Sequence, residues 1–163
     1  MTLRLSFFCL LFPFLLVGCG PSAPKDFPKL VRPVTVKLHK GGEPLKDVTI
    51  LLTPKEQAYN CYIGGDIGPD GVAALSTSRG TYTKPGVPAG KYRVQLTEAL
   101  RVDIVPFPMT GTEQQQAAWT KEYDTKLDAM RTFPKILADP DKTPLEIEVV
   151  SSPVAVEFDV SQY

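Results

Sequence analysis

Apolar and polar residues alternate one by one along several stretches of this chain. The alternation is clearest at residues 34–38, 48–52, 92–96, 145–149 and 154–160. A period of two places successive side chains on opposite faces of a β-strand, so each stretch predicts a strand with one buried and one solvated face. Weaker candidates at 59–63 and 72–75 bring the expected total to about seven strands. In the last strand, the alternation assigns Phe158 to the core face.

Residues typical of turns separate these stretches. The sequence has GGEP at 41–44, GPDG at 68–71 and PAG at 88–90, and 16 prolines in all. Glycine and proline supply the backbone angles that tight turns need. Many short strands joined by such turns predict an all-β antiparallel sandwich, because a βαβ fold would need helices between the strands.

One stretch, at about 111–131, departs from the period of two and predicts a helix inserted between two strands. Thr112 and Gln115 have the spacing of a capping box. Apolar residues then follow at helical spacing, at Trp119, Tyr123, Leu127 and Met130. This stripe either packs on the domain's own surface or belongs to a partner-binding arm, in which Trp119, Tyr123 and Leu127 would make the contacts.

The first eighteen residues combine a basic start at Arg4 with an apolar run that ends at Val17. The run is shorter than the roughly 20 residues of a transmembrane helix and has the length of a signal-peptide core. It ends in LVGC at 16–19, which resembles the lipobox of bacterial lipoproteins. The resemblance implies cleavage between Gly18 and Cys19, acylation of Cys19 and a lipid bilayer as partner. The alternative is a cysteine that merely ends a plain signal peptide or an anchor helix.

Acylation would fix the location of the protein. A single acyl chain binds a membrane with a constant of only about 10⁴ M⁻¹, whereas two or three chains hold a protein essentially permanently. Gly20 after the cysteine, in place of Asp, implies by the same resemblance the outer rather than the inner membrane, with the domain facing the periplasm or the exterior. Residues 19–31 are rich in Pro, Ser, Ala, Lys and Asp and predict a flexible, extended tether.

Charge and cysteine content exclude several classes of protein. The chain has 18 basic and 18 acidic residues without a Lys/Arg block, so neither nucleic acid nor an anionic membrane surface is an expected partner. Cys9 lies in the signal and Cys19 is the lipidation site, which leaves Cys61 without an intramolecular partner and excludes a disulfide-stapled fold. We expect Cys61 to be a small apolar strand residue, with a redox role as the alternative.

Candidate catalytic groups are few. His39 is the only histidine and stands at a predicted strand end. An isolated His39 would argue against catalysis, whereas a carboxylate, thiol or hydroxyl within its reach in a cleft would favour an enzyme. One His and one Cys do not make a zinc ligand set, and the Asp pairs at 66/70 and 139/141 lack the spacing of a calcium loop. We therefore expect no catalytic residue, no metal and no cofactor.

Four segments occur in an order that resembles a known family. They are GGEPLKDVTILLTP at 41–54, GPDGVAAL at 68–75, PGVPAGKYRVQL at 85–96 and FPKILADPDKTPLEIEVVSSPVAVEFDV at 133–160. They resemble the carboxypeptidase regulatory-like, or transthyretin-like, domains of small bacterial lipoproteins, notably those of planctomycetes. The resemblance spans about 31–160, except 98–132, and implies a seven-stranded antiparallel Greek-key sandwich of the prealbumin type without catalysis. The hydroxyisourate hydrolases of that fold need several histidines and a C-terminal Tyr-Arg-Gly-Ser, which this chain lacks.

The predicted organisation is a lipoprotein signal peptide at 1–18, the tether at 19–31 and a β-sandwich at 32–160 that carries the helical insertion. The expected function is that of a membrane-anchored cell-envelope lipoprotein, a non-catalytic module that binds an envelope protein or a glycan. Two alternatives stay open. One is an accessory hydrolase or redox protein that uses His39 or Cys61, and the other is a purely structural envelope spacer.

Overall fold

The alternating stretches form two β-sheets in the computed structural model, which describes residues 23–56, 59–100, 103, 106–150 and 153–163. The described residues contain ten strands and one α-helix, together with 3₁₀ turns at Lys135–Ala138 and Val160–Gln162. In chain order they are β1 (Val34–Lys40), β2 (Glu43–Pro44), β3 (Val48–Pro54), β4 (Tyr62–Asp66), β5 (Val72–Ala74), β6 (Ser76–Arg79), β7 (Tyr82–Pro85), β8 (Gly90–Glu98), α1 (Glu113–Met130), β9 (Glu146–Val149) and β10 (Val154–Asp159).

The strands are divided between a smaller and a larger sheet. In the smaller sheet β1 is central and pairs with β10 on one side and with β2 and β5 on the other. The larger sheet has the order β7-β6-β4-β3-β8-β9, and every pair in it is antiparallel. The β1–β10 pair is parallel, in a register that runs from Val34 opposite Val154 to His39 opposite Asp159. The prediction of a purely antiparallel sandwich is corrected at this pair.

One hydrophobic core joins the two sheets, because the buried faces of their strands contribute to a single cluster. Val36 and Leu38 of β1 and Ile50 of β3 are completely buried, as are Val94 and Leu96 of β8. These are the positions that the period of two assigned to the core face. The two sheets and the one helix of the described residues confirm the expectation of an all-β fold with one helix.

Three strands were missed by the alternation of apolar residues. β2 has only two residues, and β6 and β7 have the sequences STSR and YTKP. β6 and β7 pair through backbone hydrogen bonds at the edge of the larger sheet. The only fully buried residue of these two strands is Thr77, whose hydroxyl donates to the carbonyl of Gly86 over 2.8 Å. A polar strand buries a hydroxyl at little cost when it is hydrogen-bonded, so apolar periodicity does not detect it.

Phe158 lies at the rim of the core. It points to the core side of β10 and packs against the hydrophobic cluster, but it is only half-buried, as are Val154 and Val156. Phe158 therefore lies on the predicted face of β10. Its burial is only partial because β10 is the edge strand of the smaller sheet.

The N-terminal side of the domain is described from Ala23 onwards. The predicted signal peptide at 1–18, the cleavage site at Gly18 and the lipidation site at Cys19 lie outside the described residues. Of the predicted tether, the described part carries Phe27, which is only 6% exposed. This part of the chain packs against the domain.

Within the described part of the chain, no helix has the length and apolar character that crossing a membrane requires.

Candidate functional site

The helix α1 is held at its N-terminus by the predicted capping box. The backbone N–H of Gln115 donates to the hydroxyl of Thr112 over 3.3 Å, and the backbone N–H of Thr112 donates to the side-chain oxygen of Gln115 over 2.8 Å. These bonds satisfy two backbone donors that a helix start would otherwise leave open. The helix then runs for 18 residues without burying a single one.

Aromatic contacts close the insertion on itself. The ring of Trp119 stacks on that of Tyr123, one turn further on, with centroids 5.0 Å apart and planes inclined by 9°. Phe107, from the segment that precedes the helix, meets Trp119 edge to face at 5.1 Å. Trp119, Tyr123 and Leu127 are all half-buried on one stripe of the helix. Part of the predicted apolar stripe is therefore covered from within the insertion.

Exposed apolar side chains are concentrated around this insertion. Phe107 is 40% exposed, Met109 83%, Met130 46% and Ile136 43%. These four make up half of the exposed large apolar residues among the part of the chain that the structure describes. Met109 precedes the helix and Met130 ends it, so these side chains are displayed at both ends of α1.

The return leg of the insertion is fixed in the core. Phe133 is 2% exposed and Leu137 is completely buried, and both belong to the hydrophobic cluster. Glu98, at the end of β8, accepts hydrogen bonds from the backbone N–H and the hydroxyl of Thr132. The Lys40 ammonium donates to the Thr132 carbonyl over 3.0 Å. The helix is therefore attached to the sandwich at its C-terminal end, and we call α1 with residues 106–112 the arm.

A groove of about 650 Å³ lies at the base of the arm. Its apolar lining consists of Ile136, Ala138 and Pro140, and the charged residues around it are Arg131, Lys135, Asp139 and Lys142. No motif or periodicity in the sequence marks these residues as a site. All of them except Arg131 belong to the segment at 133–160, whose residues resemble those of a known family.

The cations of the groove are largely neutralised by neighbouring carboxylates. Lys135 and Arg131 each hydrogen-bond to Asp128 over 3.1 Å, and these bonds lower the pKa of the Asp128 carboxyl. Lys142 lies 2.9 Å from Asp139 and, with the backbone N–H of Asp141, lowers the pKa of the Asp139 carboxyl. Asp128 and Asp139 offset all but one of the three cations, so this apolar groove suits a neutral or amphipathic surface of a partner better than a free anion.

His39 is not isolated. Its Nε2 lies 3.3 Å from Oε1 of Glu157, and its Nδ1 accepts a hydrogen bond of 3.3 Å from the backbone N–H of Gly42. Asp159 is 3.7 Å from Nδ1 and is itself bonded to the hydroxyl and the backbone N–H of Ser161. A carboxylate is thus within reach of His39, which meets the first part of the condition for an enzyme but not the second, a position in a cleft.

The bonding pattern nevertheless gives His39 a role in the fold. Both ring nitrogens are occupied by partners within the chain, and Glu157 is also paired with Lys37 over 2.7 Å. The Ser161 hydroxyl donates to Asp159, so it is not directed at the imidazole. Cys61 precedes β4 in the other sheet, where it is half-buried. The structure therefore does not bring His39 and Cys61 together.

No group of three or more His, Cys, Asp or Glu side chains that could hold a metal ion occurs among the described residues.

No protein-family model, curated protein sequence or solved structure matches this chain. The family resemblance of the four sequence segments therefore stays a prediction.

The contacts of Asp159 predict a specific pH dependence. Hydrogen bonds from the side chain and backbone of Ser161 and from the backbone of Gly41 lower the pKa of Asp159 from 3.8 to about 2. A carboxyl group whose pKa is lower in the folded state stabilises the fold above about pH 4, and this stabilisation is lost as the pH falls towards 2. Urea unfolding midpoints measured from pH 5 to pH 2 should show Asp159→Asn less stable at pH 5, with the difference from the native protein shrinking towards pH 2. A difference that does not change with pH would contradict this assignment, and Asp124→Asn on α1 is the control.

Proposed function

We propose that this protein is a lipoprotein anchored in the cell envelope by acylated Cys19, and that it acts as a non-catalytic binding module. The sequence at 16–19 supports the anchor, since it has the order of residues that lipoprotein processing needs. The placement proposed is the outer membrane, with the domain facing the periplasm or the exterior. The two sheets are proposed to be an elaborated form of the seven-stranded prealbumin-like Greek-key sandwich, to which β2, β6 and β7 add short polar strands.

The arm is the single observation that carries the binding role. It is a capped helix of 18 residues that buries none of them, and it is fixed to the sandwich by the two buried residues Phe133 and Leu137 just after it. In proteins most of the stability of a helix comes from tertiary packing of one of its faces. Here the aromatic contacts of Trp119 maintain the arm, and its remaining apolar surface is displayed. We propose that an envelope protein or a glycan covers this surface and the groove at its base.

The alternatives have less support. A hydrolase that uses His39 would need an imidazole nitrogen free to take a proton, whereas both nitrogens are occupied within the fold. A redox role for Cys61 gains no support from His39, since Cys61 precedes β4 of the larger sheet and His39 lies on β1 of the smaller one. A pure spacer would have no reason to display Met109, Phe107 and Met130.

The anchor is tested by Cys19→Ser. This change removes the only thiol at the proposed processing site, so labelled palmitate should no longer be incorporated and the intact mass should show an unprocessed chain. Cys61→Ser is the matched control and should incorporate palmitate as the native protein does. Undiminished labelling of the Cys19→Ser variant would refute the lipoprotein assignment.

The binding role is tested by replacing residues 111–131 with a short Gly/Ser loop that leaves Phe133 and Leu137 in place. The β-sheet signal in circular dichroism should persist, because shortening a loop changes its closure free energy by only about 0.6 kcal/mol per halving of length. Crosslinking in native membranes should then capture the partner much less than the native protein does.

The side chains responsible are tested by Trp119→Ala and Tyr123→Ala, which should lower capture, since aromatic residues dominate binding hot spots. Because Trp119 also maintains the arm, the helix signal in circular dichroism must stay unchanged for lost capture to report lost partner contacts. Lys121→Ala, on the same helix, is the matched control. Unaltered capture by the loop variant would remove the arm from the function, and unfolding of that variant would show that the arm is part of the core.

A further inference from the structure

The N-terminal segment is fixed at two points, on the hairpin of β6 and β7 and on Val87, which follows β7. Phe27 is 6% exposed and meets Tyr82 edge to face, with ring centroids 4.6 Å apart. Further on, Arg32 and Val87 exchange backbone hydrogen bonds of 2.7 and 2.8 Å. The segment from Pro24 to Arg32 therefore has a defined position on the domain.

This arrangement gathers positive charge that the sequence keeps apart. Lys25 and Lys29 are exposed on the segment, and together with Lys84 of β7 they line one groove of about 340 Å³. The Lys84 ammonium donates to the Lys29 carbonyl over 3.0 Å, which holds the two lysines close together. Arg79 of β6 pairs with Asp26 over 3.2 Å. We call Lys25, Lys29, Arg79 and Lys84 the basic face.

The basic face has four cations, of which Arg79 is paired with Asp26, in a chain whose total charge is balanced. Leu30 adds an apolar side chain that is 60% exposed next to Lys29. Clustered lysines beside an exposed apolar residue are typical of surfaces that rest on a membrane interface. A search for runs of Lys and Arg misses such a surface, because β6 and β7 supply half of it from more than fifty residues away.

The basic face also lies close to the proposed anchor. Only residues 20–26 separate Cys19 from Phe27. An extended chain covers at most about 3.6 Å per residue, so Phe27 stays within about 29 Å of the lipid attachment site. Attractive fields from lipid headgroups extend over about 8 Å at physiological salt. The anchor would therefore keep the basic face within reach of the headgroups.

We propose that the basic face binds anionic phospholipid headgroups of the membrane that carries the anchor. This proposal rests on the acylation of Cys19, which supplies a high effective concentration of lipid. Each Lys near an anionic leaflet strengthens binding about fivefold, so three of them are enough to orient an already tethered domain. Binding through the basic face fixes one side of the domain on the membrane and gives the protein one orientation relative to the bilayer.

The test uses the full processed protein in lipid nanodiscs that contain a gadolinium-chelating headgroup, which broadens the NMR signals of nearby nuclei. Discs of phosphatidylcholine alone are compared with discs of equal parts phosphatidylcholine and phosphatidylglycerol. In the mixed discs the amide signals of β7 should broaden strongly and those of α1 weakly. In discs without phosphatidylglycerol, or at high salt, this contrast should be lost.

The variant Lys25→Glu/Lys29→Glu should abolish the contrast in mixed discs, since it reverses two charges at exposed positions and keeps the Lys84 bond to the backbone of residue 29. The matched control Lys46→Glu/Lys121→Glu reverses two exposed lysines outside the basic face and should keep the contrast. The intact mass of the reconstituted protein reports acylation of Cys19 separately.

Three outcomes would overturn the proposal. Acylated protein with uniform broadening of β7 and α1 would refute the basic face and leave the lipoprotein assignment standing. An equal contrast in discs without phosphatidylglycerol would show that the face contacts lipid without recognising anionic headgroups. Protein without acyl chains on Cys19 would refute both proposals.

Discussion

Burial of alternating apolar side chains between the two sheets is the interaction on which the rest of this structure depends. The inward residues of β1, β3 and β8 are withdrawn from water almost completely, whereas the helix α1 contributes none to the core. Burial of apolar area is the main favourable term in folding. The sandwich can therefore be stable without the arm, and the arm depends on the sandwich for its position.

The attachments of the arm and of the N-terminal segment follow the same physical logic. Each is an otherwise exposed piece of chain that places one or two large apolar residues in the domain: Phe133 and Leu137 for the arm, Phe27 for the segment. Hydrogen bonds to backbone carbonyls, from Lys40 and from Lys84, then fix the neighbouring chain. In this account the two pieces serve two surfaces, one for a partner and one for the membrane.

The elements that the sequence predicts best are those whose local pattern and tertiary role agree. The inward positions of β1, β3 and β8 followed from the period of two, and the start of α1 followed from Thr112 and Gln115. The polar strands β6 and β7 did not follow, because pairing with neighbouring strands rather than apolar burial defines them. The neighbours of His39 could not be predicted, since the parallel β1–β10 pair brings Glu157 and Asp159 to it from the far end of the chain. The basic face could not be predicted either, because Arg79 of β6 and Lys84 of β7 join Lys25 and Lys29 from a distant part of the chain.

The central claim is that the arm is an appendage to a complete sandwich, displayed for binding. Native-state hydrogen exchange on the full chain, followed at increasing low concentrations of denaturant, tests it most directly. The account predicts that amides of α1 exchange by local opening, at a free energy well below that of β3 and β8 amides, which require global unfolding. Exchange of α1 amides at the same free energy and with the same denaturant dependence as those of β3 and β8 would contradict it, because the helix would then be part of the cooperative core.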